Sequence, residues 1–137
     1  MKRIIIGILS IISFVLFSCN KSSSGGGSST QPAQEPSIVF SIDASNASIS
    51  PGSTFNVNVT LTSTMPSSSG IKITTTLSDQ TNNISITQNP PLTSTAAKNS
   101  ITLINLPQQH WCSATITVSS VATPSNSASQ TFTVVFK

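Results

Sequence analysis

Phe55-Asn56-Val57-Asn58-Val59-Thr60-Leu61-Thr62 alternates apolar and polar residues without a break. Successive side chains of a β-strand point to opposite faces, so this period of two sets Phe55, Val57, Val59 and Leu61 on a buried face. The polar residues between them face water. The same period returns downstream. Cys112, Ala114, Ile116 and Val118 alternate with Ser113, Thr115, Thr117 and Ser119. Ile71, Ile73, Thr75 and Leu77 alternate with Lys72, Thr74 and Thr76. Four further stretches complete a set of seven strands: Ile38–Ile42, Ile84–Gln88, Ile101 to Leu106, and 131–136 with Phe132, Val134 and Phe136 inward.

Turn-forming clusters separate these stretches. They are Ser50-Pro51-Gly52-Ser53, Met65 to Gly70, Asp79 to Asn83, Asn89-Pro90-Pro91, and Pro124 to Ser127. Proline donates no backbone hydrogen bond, so the Pro90-Pro91 pair must leave any ladder. Thr, Val and Ile suit a pleated, half-buried surface, and no apolar residues recur at helical spacing beyond the N-terminal run. Residues 37–137 therefore read as one all-β domain, a sandwich or barrel.

The N-terminus is different in kind. Lys2 and Arg3 precede a fourteen-residue, mainly apolar run from Ile4 to Phe17. That is the pattern of a signal peptide, and it is short of the roughly 20 residues a transmembrane helix needs. Leu16-Phe17-Ser18-Cys19 follows and resembles the lipobox of bacterial lipoproteins, with Phe17 bulkier than usual at its position. The resemblance implies a signal peptide over 1–18, cleavage after Ser18, and lipidation of the Cys19 thiol. It also implies anchorage in the cell envelope. No aspartate follows Cys19, which by the same resemblance favours the outer membrane and leaves the leaflet open. Residues 20–36, NKSSSGGGSSTQPAQEP, hold no large apolar side chain. With Cys19 they form a lipidated linker over 19–36, a flexible tether spanning on the order of 20–25 Å.

Charge narrows the partners. With residues 1–18 removed, Lys21, Lys72, Lys98 and Lys137 stand against Glu35, Asp43 and Asp79. No basic patch exists, so nucleic acid is not an expected partner. Cys112 is then the sole cysteine besides the anchor, and its place in an apolar row points to a buried thiol.

Several short runs resemble bacterial immunoglobulin-like domains. Ser50 to Phe55 resembles the turn into strand B, Leu103 to Cys112 the E–F corner, Cys112 to Val118 strand F, and Thr131 to Phe136 strand G. The resemblance implies a seven-stranded Ig-like Greek-key β-sandwich. Strand C lacks a tryptophan, and His110 stands where a tyrosine corner would be. Such a domain implies a binding or adhesion module displayed from the membrane toward a protein or glycan. The alternative is a periplasm-facing accessory lipoprotein of an envelope assembly.

Little chemistry is legible. His110, Asp43 and Asp79 fall in separate segments, and neither an enzyme nor a cofactor is expected. Cys112 and His110, two apart on one strand, could share a face as thiol and base, but the row they sit in reads as core. Asp79, Asn82 and Asn83 offer too few carboxylates for a calcium loop and read as a polar turn. Two ligand-contact candidates remain. Trp111 faces opposite Cys112 and either stacks on a sugar or covers the end of the sandwich. Val135 faces outward on a terminal strand near a sheet edge, a template for strand addition unless the first strand covers it.

Overall fold

The inward rows become the core. Val57, Val59, Leu61, Ile71, Ile73, Leu77, Leu103, Cys112, Ala114, Ile116, Val118, Phe132 and Val134 are all buried. A computed structural model describes residues 34–137, and within them the chain is all β with no helix. The expected signal peptide, Cys19 and most of the expected linker lie outside the described residues.

Among the described residues nine strands form where seven are expected. They are β1 (Phe40–Ile42), β2 (Ser48–Ser50), β3 (Phe55–Leu61), β4 (Ile71–Asp79), β5 (Ile84–Ile86), β6 (Leu92–Ser94), β7 (Lys98–Leu103), β8 (Trp111–Ser120) and β9 (Ser127–Phe136). The two additions, β2 and β6, are three residues each. They owe their extended form to longer partners, β9 and β4, and not to a pattern of their own.

Two sheets face each other as in a sandwich. One has the order β1-β3-β7, and the other runs β2-β9-β8-β4-β5 with β6 also on β4. All pairs are antiparallel except β2 with β9. The apolar rows of both sheets meet between them, and removing these rows from water drives the packing. Phe55 of β3 and Phe132 of β9 meet across the gap with ring centroids 6.2 Å apart. Gln130 adds a polar link by donating its side-chain amide to the Phe40 carbonyl of the opposite sheet.

The outer face of the larger sheet is a lattice of hydroxyls. Across β4, β8 and β9 the register aligns Thr74, Thr117 and Ser129, then Thr76, Thr115 and Thr131, then Ser78, Ser113 and Thr133. Thr115 and Thr131 share a hydrogen bond at 2.8 Å, as do Thr117 and Ser129. The next row is apolar: Trp111, Val135 and, on β2, Ile49.

The two ends of the sandwich differ. At one end the chain enters. Ser120 Oγ and Asn126 Nδ2 both donate to the Glu35 carboxylate at 3.2 Å. Asn126 also donates to the Pro36 carbonyl and accepts the Ile38 N–H. Glu35, assigned to the linker in the sequence, is thus bound to the sandwich. Trp111 stands at the other end of the ten-residue β8, roughly 30 Å away at the strand rise per residue.

The last strand keeps the outward parity expected at Val135, and of the two readings of its edge the covered one holds, with β2 and not the first strand as the cover. Val135 lies on the outer face but is only 2% exposed. The edge of β9 is not free either, because β2 pairs with it in parallel register, Ile49 beside Val135. Ile49 on one side and Trp111 on the other flank Val135, and strand addition at this edge is blocked.

Candidate functional site

The end of the sandwich opposite Glu35 gathers most of the chain's unusual side chains. The corner before β8 builds it. Gln109 takes a left-handed backbone, φ 62°, and donates its N–H to the Phe136 carbonyl at 2.7 Å. Gln108 forms a parallel bridge to the same residue. The corner is therefore folded over the end of β9, and β8 starts at Trp111.

Trp111 is 41% exposed on the outer face, opposite the buried Cys112 as parity requires. Its backbone is held from both sides: it pairs with Val135, and its carbonyl accepts the Gln80 N–H at 2.9 Å. Beside the ring lies a shallow depression of about 360 Å³ lined by Gln109, Trp111, Val135 and Lys137. Its floor is the buried Val135. Ile49, 57% exposed, extends the apolar row past it.

Behind this surface sits a buried carboxylate. Asp79 is the last residue of β4, pairs with Cys112, and is 1% exposed. Oδ1 accepts the N–H groups of Thr81 at 2.8 Å and Asn82 at 3.3 Å. Oδ2 accepts from Asn82 Nδ2 at 2.9 Å and from His110 Nδ1 at 2.8 Å. Burial pushes this carboxyl up, but the bonds from His110, Thr81 and Asn82 outweigh burial, and its pKa falls from 3.8 to about 2. A charge so buried persists because donors surround it. His110 Nδ1 carries the proton toward Asp79, so Nε2 is the ring's other nitrogen for solvent or a partner.

Cys112 is fully buried and unpaired. Burial raises its thiol pKa, and the Asp79 charge adds to the rise. Its sulfur lies 4.0 Å from the His110 backbone carbonyl, while the His110 ring turns to Asp79. The thiol and imidazole are not arranged as nucleophile and base, for a buried neutral thiol is a poor nucleophile.

Asp79 and His110, read as belonging to separate segments, are thus brought together. Asp43 is not among them: it binds Asn58 on the smaller sheet, through the N–H at 2.8 Å and Nδ2 at 2.6 Å. Asn82 serves Asp79 as a donor, so the carboxylate of the polar turn is already occupied. Among the described residues no three His, Cys, Asp or Glu side chains cluster to hold a metal ion. Ile49 and Gln109 were invisible as site residues. For Asp79 a signal did exist, since the inward parity of Ile71, Ile73, Thr75 and Leu77 continues to it.

A second depression, about 250 Å³, lies along the open side between β4 and β7, with Ile73, Pro90, Leu92 and Ile101 in its lining. It contains no titratable group. Comparison of the chain with protein-family models, curated proteins and solved structures finds no match.

Proposed function

We propose that this chain is a lipid-anchored display module: a sandwich carried from Cys19 on a short tether, holding its Trp111 end toward a partner. The observation that carries the reading is the polarity of the sandwich. The chain enters at Glu35, against Ser120 and Asn126, while the exposed tryptophan begins the same strand at its far end. A domain attached at one end and carrying its apolar row at the other suits contact with something beyond the membrane surface. The lipobox-like Leu16–Cys19 supplies the anchor in this reading.

The finer fold assignment is immunoglobulin-like. Three features support it. The first segment is shared between the sheets, β1 pairing with β3 and β2 with β9. The last strand is paired in parallel with that early segment. The central strands β9, β8 and β4 lie side by side. Binding is the role that follows, because the exposed end offers a surface while the Asp79–His110 pair is consumed in holding two loops together.

The test is protease shaving of intact cells. A displayed sandwich is clipped and lost from the cell surface, whereas a domain facing the periplasm survives until the outer membrane is opened. The second outcome moves the protein to the accessory role in an envelope assembly. A Cys19→Ala variant checks the anchor itself: it should leave the detergent phase and fail to mature. Quantitative partition of that variant into detergent at mature size removes the lipoprotein reading.

A further inference from the structure

We infer that the depression beside Trp111 is a saccharide-binding site, taking one pyranose ring with its C–H face against the indole and its hydroxyls toward Gln109 and Lys137. The inference rests on the reading of the sandwich as a displayed binding module.

The size of the apolar surface selects the ligand class. Its exposed part is a single row, Trp111 and Ile49 around the buried Val135. A stable protein partner needs about 800 Å² on each side, with an apolar centre. Here the row gives way at once to the hydroxyl rows of Ser113 and Thr133, then Thr115 and Thr131. A peptide added as a strand would have to use β2, which is three residues long. Too few ladder bonds are available there. A small ligand fits better, since about 360 Å³ lies within the roughly 300–1,000 Å³ of small-molecule sites.

The chemistry of the lining selects among small ligands. An exposed indole offers a flat, polarizable face that gains from stacking against C–H groups. The Gln109 amide both donates and accepts, and the Lys137 ammonium donates. A sugar ring presents apolar C–H groups on its face and hydroxyls around its rim, which is the complement of that wall and those heads. The lining has no carboxylate side chain and one cation, so neither a strongly cationic nor a polyanionic ligand is matched by charge. The Trp111 backbone is held on both sides, by its pairing with Val135 and by the Gln80 N–H on its carbonyl, so binding needs little ordering of the backbone there.

Trp111 is the sole tryptophan of the chain, so its emission reports this site and no other. The full chain, held in a detergent without sugar head groups, is titrated with cello-, chito-, malto- and manno-oligosaccharides. At least one series should give a saturable emission change, with a Kd on the order of 0.1–1 mM for a single stacked ring. Calorimetry should show the same binding lost by at least about tenfold in Trp111→Ala and partly kept in Trp111→Phe. Gln109→Gly suits the left-handed backbone at that position and removes only the amide, and should weaken binding about threefold to tenfold. Absence of a saturable response to all four series at millimolar concentration overturns the site, and so does calorimetric binding that Trp111→Ala leaves intact. Shaving separates this from the display reading. A chain that binds sugar but escapes shaving keeps the site and faces inward, and one that is shaved but binds none keeps the display and loses the site.

Discussion

Asp79 and His110, 31 positions apart, meet at 2.8 Å between Oδ2 and Nδ1, and the carboxylate is buried at the end of the core. One side chain thereby fastens the β4–β5 turn to the corner that aims Trp111. The arrangement makes stability depend on acid. The folded pKa, about 2, lies below the ordinary 3.8, so the unfolded chain takes up this proton first as pH falls. The contribution of Asp79 is complete above 3.8 and is lost as pH drops through about 2. The melting temperature of the wild type should therefore decline across that window. Asp79→Asn should melt lower at neutral pH, because an amide donor faces N–H donors, and should lose part of the acid dependence. Thermal melts between neutral pH and pH 2 check both.

Cys112 should behave as core. A maleimide should leave the native domain unlabelled and react fully once denaturant exposes the thiol, because Cys112 is fully buried and its pKa is raised. Cys112→Ser places a hydroxyl among Val134 and its apolar neighbours and should cost about 1–3 kcal/mol in denaturant unfolding. Rapid native labelling is the result that sinks this assignment.

Gly70 precedes β4 with φ 82°, and a Cβ there would run into the Ser94 carbonyl. It also donates its N–H to Ser67 and accepts from Val121. Gly70→Ala should destabilise by at least about 1–2 kcal/mol, the left-handed penalty for a side chain, with displacement of Ser94 adding to it. An unchanged denaturation midpoint would contradict the placement.

Glu35 should be worth having in any soluble version of the domain. Glu35→Ala removes two hydrogen bonds to its carboxylate, from Ser120 and Asn126. A loss of about 1–2 kcal/mol is expected in urea unfolding. Starting the chain at Ser37 should do the same.

The fold class was readable because burial on one face imposes a period of two, and the rows of Val57 and Ile116 carry it cleanly. What was not readable depends on partners remote in sequence. Ile49 sits in a three-residue strand whose shape is set by β9, so no local pattern marks it. The outward parity of Val135 was legible, but its burial follows from having Ile49 and Trp111 as neighbours. Asp79 precedes Gln80-Thr81-Asn82-Asn83, a string that reads as a turn, and this hid its place in the inward row. A histidine 31 residues away leaves no local trace of the hydrogen bond it makes.

The separation of Glu35 and Trp111 along β8 has a mechanical consequence. A tensile load between an anchor at the first and a ligand at the second runs along the strands. The rungs of an antiparallel ladder lie perpendicular to that direction. At the Trp111 end β8 is held by nine aligned residue pairs with β4 and nine with β9, which would share such a load in shear instead of being peeled one by one. At the N-terminal end the same load meets only the Glu35 clasp and the three pairs of β1 with β3. The weak link under traction is therefore expected to be the short leading strand, while the sheet that carries Trp111 stays whole.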